Sequence, residues 1–127
     1  MAKFNVVDKK MRMGLYDVVK YQIATHCYIK RINMSDSDLD CVTTLAVAGE
    51  SDLTEFCLLI TEKRIFKSTQ SVRNCLVKLE KNNLIRKEGK TKKKIILNKD
   101  LNIQSSGNIL INYKFIHVDS EEIKGNT

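Results

Sequence analysis

The fold is decided by one stretch of the sequence, "KSTQSVRNCLVKLEKNNLIRKEGKTKKKIILN", which covers residues 67–98. In its first half, the apolar residues Val72, Cys75, Leu76 and Leu79 recur at the spacing of one helix face. Ser68 stands directly before them, and serine is a favoured helix N-cap because its hydroxyl accepts a bond from a free backbone amide. The pattern predicts a helix that buries this stripe.

The second half of the same stretch predicts a β-hairpin. Asn82 and Asn83 can adopt the left-handed conformation that ends a helix. The segments "LIRKE" and "KKKIILN" then flank Gly89, and two short strand-like runs around a glycine-containing loop are typical of a hairpin. A helix followed directly by a hairpin is therefore expected.

Most of the positive charge of the chain lies in this region. The 127 residues include 22 Lys or Arg and 15 Asp or Glu, a formal net charge of +7. Residues 63–99 carry 13 basic and 2 acidic residues, whereas residues 32–62 carry 7 acidic residues and no basic one. A run of like charge is by itself typical of a solvated loop. Clustered Lys and Arg next to a predicted helix instead favour a surface for a polyanion.

Two further helices are predicted upstream. In "MSDSDLDCVTTLAVAGE", Ser35 and Asp38 have the spacing of a capping box, and Gly49 follows the apolar stripe and stops the helix. The next segment, "SDLTEFCLLITEK", has apolar residues at helical spacing behind Ser51 or Asp52 as the cap. The predicted order is helix, helix, helix, hairpin.

The flanking segments are expected to be strands. Between Val19 and Lys30, apolar or β-branched residues alternate with polar ones, which favours a long strand, although the length without a glycine leaves a helix open. Near the end of the chain, "NILINYKFIHV" places Ile109, Ile111 and Phe115, with Tyr113, on one face of a strand. We expect these arms to pair with each other or with another subunit.

With these elements in place, residues 35–98 resemble a winged helix-turn-helix DNA-binding domain. The resemblance rests on the capped first helix, the second helix "SDLTEFCLLITEK", the turn "RIFKS", the third helix "TQSVRNCLVKLEKNNLI" and a basic hairpin in the wing position. It implies an α+β fold with a three-helix core and a β-hairpin wing, extended here by flanking β-strands. No glycine lies in the turn before the third helix, and both arms exceed the minimal fold.

The resemblance also implies an organisation and an origin. Residues 1–34 would be an N-terminal strand arm, residues 35–98 the winged helix-turn-helix domain, and residues 99–127 a C-terminal strand and tail packing on that domain. More loosely, the whole chain is similar to small winged-helix proteins of tailed phages that infect Bacteroides-type hosts. Such a module can regulate, replicate or be built into a particle.

A winged helix reads DNA by placing its third helix in the major groove, where Arg pairs with guanine and Gln or Asn with adenine. The start of that helix can hold a phosphate, and wing lysines follow the backbone and set affinity rather than sequence. The residues expected at the interface are Ser68, Thr69, Gln70, Arg73, Asn74, Lys78 and Lys81 in the helix and Arg86, Lys87, Lys90, Lys92, Lys93 and Lys94 in the wing.

No catalytic, metal or cofactor site is expected. The cysteines have no C-x-x-C spacing, so we interpret them as reduced, buried thiols. They are Cys27, Cys41, Cys57 and Cys75. His26 and His117 have no neighbouring nucleophile pattern, and the glycines form no phosphate-binding loop.

Two functions follow as hypotheses. The first is a non-enzymatic, sequence-specific binder of double-stranded DNA, a transcriptional regulator or replication-associated factor in the cytoplasm, or in the host cytoplasm if phage-encoded, and dimeric through its arms. The second is a structural component of a phage particle that uses the scaffold to contact other phage proteins. RNA stays open as a ligand, although no aromatic ladder is present. A membrane location is not expected, because no segment approaches the roughly 18 apolar residues of a span.

Overall fold

The computed structural model describes residues 4–118, in which four α-helices and five β-strands form an α+β fold with two small sheets. The elements are β1 (Phe4–Arg12), α1 (Leu15–Lys30), α2 (Asp36–Ala48), β2 (Ser51–Asp52), α3 (Leu53–Glu62), α4 (Thr69–Lys81), β3 (Ile85–Glu88), β4 (Lys94–Leu97) and β5 (Leu110–Val118), with a 3₁₀ turn at Lys99–Leu101. The α+β prediction is confirmed. The predicted C-terminal tail, residues 119–127, lies outside the described residues.

Helix α2 begins with the predicted capping box. The Ser35 hydroxyl accepts a hydrogen bond from the Asp38 amide at 3.1 Å, and the Asp38 carboxylate accepts one from the Ser35 amide at 3.1 Å. Gly49 follows the helix with φ of +80°, a conformation that strains residues with a side chain. Both ends of α2 are thus set by local chemistry.

Helices α3 and α4 also start at predicted caps. Asp52 accepts a bond from the Glu55 amide, and Ser68 accepts one from the Ser71 amide, each at 3.1 Å. At the end of α4, Asn83 is left-handed with φ of +59°, whereas Asn82 is not. The stripe of α4 predicted from the sequence is buried, and it comprises Val72, Cys75, Leu76 and Leu79.

The prediction of a strand over residues 19–29 is wrong, because these residues form most of α1. Val19, Ile23 and Cys27 are buried, whereas Tyr21 and Ile29 are exposed. Val19, Ile23 and Cys27 are four residues apart, which is the spacing of one helix face, but they also fit a pattern that repeats every two residues. The sequence pattern was therefore compatible with both a helix and a strand. Helix α1 shares one hydrophobic core with α2, α3 and α4.

Polar contacts hold α1 against α2. The Tyr16 hydroxyl donates to Asp40 Oδ1 at 2.7 Å, and Lys20 Nζ lies 3.0 Å from the same oxygen. Burial, with the hydrogen bond to Asp40 as the next cause, raises the pKa of Tyr16 to about 12. The phenol therefore stays a neutral donor to this carboxylate.

The predicted hairpin is confirmed as β3 and β4, and β2 completes an antiparallel sheet in the order β2-β4-β3. Ile85 and Ile95 are buried, which attaches the sheet to the helical core. The buried Asn98 side chain donates to the Asn83 carbonyl at 2.8 Å, and the Asn98 backbone amide donates to the Leu84 carbonyl at 2.9 Å. The end of the hairpin is therefore tied back to the end of α4.

The predicted C-terminal strand is confirmed as β5, but its partner is residues 4–12 rather than 19–29. Strands β1 and β5 form an antiparallel two-stranded ribbon from Phe4↔Val118 to Arg12↔Leu110. The segment that leads into β5 is fixed to α1 by two 2.8 Å hydrogen bonds between the Gln22 side chain and the Gln104 backbone.

Candidate nucleic-acid interface

The outer side of α4 is open to solvent. Opposite the buried stripe, Gln70, Asn74, Val77 and Lys81 are exposed and recur every three or four residues, so they lie along one face of the helix. On its inner side α4 packs against α2, α3 and β3. No part of residues 4–118 covers the outer face.

Two amides on this face are linked to each other. Gln70 Nε2 donates to Asn74 Oδ1 at 3.0 Å, across one helical turn. This bond leaves the Gln70 carbonyl oxygen and the Asn74 amide nitrogen as an acceptor and a donor side by side. An adenine edge in the major groove presents the complementary pair, an N6 donor and an N7 acceptor.

Arg73 and Lys78 lie at the sides of the outer face of α4, where they are partly buried, rather than at its exposed centre. Arg73 is half-buried and close enough to α3 for its charge to act on Cys57. The Lys78 ammonium donates to Asp38 Oδ2 at 2.7 Å, and that carboxylate is only 10% exposed. The prediction that Lys78 presents a free charge at the interface therefore does not fit the structure, because Asp38 of α2 already compensates that charge.

The carboxyl of Asp38 is held ionised in this arrangement. Burial alone would raise its pKa, but the hydrogen bonds from Lys78 and from the Ser35 amide outweigh burial and lower it. The pair joins the cap of α2 to the last turn of α4. It thus orients the helix whose outer face is exposed.

Three of the predicted wing residues also have acidic neighbours. Arg86 lies 2.6 Å from Asp100, Lys87 lies 3.9 Å from Glu80, and Lys94 lies 3.6 Å from Glu50. Most of these side chains are well exposed, and such pairs contribute only about 0–1 kcal/mol each. A stronger anion can displace these carboxylates at little cost.

The tip of the hairpin is one place where the charge is uncompensated. Lys90, Lys92 and Lys93 are exposed and have no carboxylate within ion-pair distance among the described residues. Gly89 has φ of +91°, and the Lys92 amide closes the turn on the Gly89 carbonyl at 3.1 Å. The Leu53 amide donates to the Lys93 carbonyl at 2.7 Å, so the base of the tip is anchored beside the start of α3.

A second basic group was missed by the sequence reasoning. Lys63, Arg64 and Lys67 are exposed in the turn between α3 and α4, ahead of the Ser68 cap. Arg64 takes the left-handed conformation, with φ of +60°, and closes the turn on the Thr61 carbonyl at 3.0 Å. This explains why no glycine is needed there. The signal was present as three basic residues within "KRIFK".

At the predicted phosphate site at the start of α4, neither predicted hydroxyl, of Ser68 or of Thr69, is freely available to an anion. Ser68 is exposed, but its hydroxyl is occupied by the Ser71 amide and hydroxyl. Thr69, the first helical residue, is half-buried. The backbone amides of the first turn, rather than the hydroxyls, are what this end offers to an anion.

All four cysteines are free and buried, as predicted. Burial raises the pKa of the Cys27 and Cys57 thiols, and a hydrogen bond with Cys41 together with burial raises that of Cys75. The thiols of Cys27, Cys57 and Cys75 are therefore protonated packing groups. Within the described range no cluster of His, Cys, Asp and Glu has the arrangement of a metal site.

Of the helices between residues 4 and 118, none has both the length and the apolar character that a membrane crossing requires. In comparisons with known proteins, no family model, no curated protein and no solved structure matches the chain.

Proposed function

We propose that this chain is a non-enzymatic DNA-binding protein of the winged helix-turn-helix kind, a transcriptional regulator or replication-associated factor. Helix α4 would lie in the major groove of double-stranded DNA and the β3–β4 hairpin would be the wing on the phosphate backbone. Helices α2, α3 and α4 followed by this hairpin have the order that the resemblance implies. A phage origin fits the looser resemblance of the whole chain.

One observation carries the proposal. The outer face of α4 and the lysine tip of the hairpin are both uncovered by the rest of the described chain, and the two elements are consecutive and in contact. Had the β1–β5 ribbon covered α4, a base-reading role would fail. The open face of α4 instead offers amides suited to base edges, and the hairpin tip offers unpaired cations suited to phosphates.

The side chains divide into two roles. Gln70 and Asn74, with Arg73 at the flank, are the residues that would read bases. Lys90, Lys92 and Lys93, together with Lys81 and the basic turn before α4, would neutralise phosphates and set affinity and register.

A selection from random DNA duplexes at two salt concentrations tests the proposal. If four phosphates are neutralised, raising the salt from about 50 to about 200 mM weakens binding on the order of a hundredfold. Enrichment of one motif with this steep dependence supports sequence-specific binding. A flat salt response contradicts it.

Matched variants separate affinity from sequence reading. Lys90→Ala with Lys93→Ala should weaken binding to every sequence by roughly tenfold and lower the salt slope by about two. Lys10→Ala with Lys114→Ala removes the same charge from the ribbon and should leave binding close to wild type. Equal losses in both pairs would mean that only net charge matters and would contradict a defined interface.

The second candidate is an assembly component of a phage particle that uses the same scaffold for protein contacts. The exposed apolar residues of the β1–β5 ribbon favour it, because an uncovered apolar strand pair invites another chain. Light scattering separates the candidates. Ring-like or open-ended assembly supports the particle component, whereas a monomer or a defined dimer supports the DNA-binding protein.

A further inference from the structure

The outward side of α1 carries large apolar side chains that no part of residues 4–118 covers. Tyr21, Thr25 and Tyr28 recur at helical spacing and form one stripe, with Ile29 beside it. Tyr28 is 86%, Ile29 is 68% and Tyr21 is 46% exposed. The opposite side of the same helix enters the core. A helix that is apolar on both sides is typical of one that is buried on both sides.

An open groove widens this surface. It has a volume of about 370 Å³ and runs along one side of the stripe. Tyr21 and Ile29 of α1 line one wall of the groove, and Leu101 and Ile103 line the other. The uncovered apolar surface therefore extends from α1 onto the segment that follows β4.

The charges of α1 lie at its two ends. Residues 21–29 contain no Asp, Glu, Lys or Arg. Asp17 is exposed in the first turn, Arg31 is exposed at the C-cap, and neither has an opposite charge within ion-pair distance among the described residues. Lys20, also near the start, is engaged by Asp40 of α2 at 3.0 Å. The stripe is therefore uncharged along its middle, with an unpaired negative charge at one end and an unpaired positive charge at the other.

We propose that α1 packs along α1 of a second copy of this chain, antiparallel, about a two-fold axis between Ala24 and Thr25. This axis places Tyr28 of each copy against Tyr21 of the other, because the two residues lie equally far on either side of it. It also brings Asp17 of each copy to the level of the C-cap residue of the other. The contact is isologous, so the assembly closes as a dimer.

Charge complementarity selects a second copy as the occupant. An antiparallel copy sets the negative end against the positive end twice, whereas a parallel copy would set like charges against each other. Two aromatic pairs across the axis add contacts that are favourable beyond the area they bury. DNA does not fit the stripe, because the middle of the stripe carries no cation to neutralise phosphates.

The size of the contact predicts a weak dimer. A helix of 16 residues is about 24 Å long and about 10 Å wide, a footprint of roughly 240 Å². Stable complexes bury about 800 Å² on each partner, and the groove makes up only part of the difference. The dimer is therefore expected to have a Kd in the micromolar range.

Sedimentation equilibrium over about 1–200 μM, a range chosen to span that Kd, tests the dimer. The mass of the wild-type chain should rise from one copy towards two. Tyr28→Ala should raise the Kd at least about tenfold, whereas Leu58→Ala, at a site 57% exposed on α3, should leave it unchanged. Thermal unfolding checks that both variants fold. A monomer throughout, growth beyond two copies, or equal losses in both variants would overturn the inference.

Charge reversal tests the orientation. Asp17→Lys should raise the Kd at least about threefold, because it sets two like-charged pairs across the contact. Adding Arg31→Asp should restore the wild-type Kd, and aspartate tolerates the left-handed φ of +59° at this position. Absence of weakening, or absence of rescue, would overturn the antiparallel arrangement.

The rescue separates contact between copies from stability of the helix itself. Lysine at the start of a helix and aspartate at its end are both unfavourable to the helix dipole, so within one copy the second substitution would add to the first. Only a contact between copies makes the double variant dimerise better than Asp17→Lys. All these measurements are made without DNA, so they succeed or fail independently of the proposed function.

Discussion

Asp38 joins two elements through one carboxylate. It caps α2 through the Ser35 amide and accepts the ammonium of Lys78 from α4. Removing one partner of a buried pair leaves the other without compensation, and this effect is reduced here because Lys78 is itself partly exposed.

Lys78→Met should therefore lower the free energy of unfolding by about 1–3 kcal/mol, measured by urea denaturation at neutral pH. Lys81→Met is the matched control, because Lys81 is exposed on the same helix and has no acidic partner within residues 4–118. A change within about 0.5 kcal/mol is expected for the control. An unchanged free energy of unfolding in Lys78→Met would mean that the pair contributes no stability.

The same pair predicts a pH dependence. The folded pKa of Asp38 lies below its ordinary value of 3.8, so its contribution is present above that pH and is lost as the pH falls through the folded pKa. In Lys78→Met, burial without the ammonium would raise this pKa, and the carboxyl would take up a proton sooner. The stability difference between wild type and variant should shrink as the pH falls from about 7 to about 3. A constant difference would assign the loss to packing.

Among the elements, α2, α3, α4 and the hairpin could be predicted because their signals are local. A capping serine or aspartate lies within three residues of the backbone amide from which it accepts a hydrogen bond, and a turn is formed by a few consecutive residues. Helix α1 could not be distinguished from a strand by the same means. Only contact with α2 and the core decides that Val19, Ile23 and Cys27 are buried while Tyr21 is not.

The hairpin turn offers a test of backbone strain. At Gly89, φ is +91° and an added Cβ would meet no atom within 4 Å, so Gly89→Ala acts through the backbone alone. It should cost about 1 kcal/mol in thermal or urea unfolding. At Gly14, the N-cap of α1, φ is −59°, which alanine adopts without strain; the entropy that alanine removes from the unfolded chain offsets its weaker capping, so stability should change by less than about 0.5 kcal/mol. Equal effects at the two glycines would contradict the turn conformation.

The molecule is expected to be unevenly stable. Helices α1 to α4 and the three-stranded sheet share one core, whereas the ribbon contributes only its base to that core. Backbone amides of β1 and β5 should therefore exchange hydrogen for deuterium at least about tenfold faster than those of α2 and α4 at low protein concentration. Uniform protection at low concentration would contradict this picture.

The candidate interface depends partly on local sequence spacing and partly on contacts between distant segments. Gln70, Asn74 and the hairpin lysines could be found from the sequence, because their position on a helix face or in a turn follows from local spacing. The engagement of Lys78 by Asp38, 40 residues earlier, could not, and neither could the carboxylate neighbours of Arg86, Lys87 and Lys94. Such pairs depend on which elements meet in space.

Local chemistry in the chain alone is enough for the caps of α2, α3 and α4, the buried stripe of α4, the hairpin around Gly89 and the strand at 110–118, because each depends on neighbours a few residues away. Three features arise only from packing over long separations: residues 15–30 as a helix, residues 4–12 as the partner of β5, and the set of lysines left without a carboxylate. A side chain's spacing specifies which face it lies on, but the burial of that face depends on what folds against it.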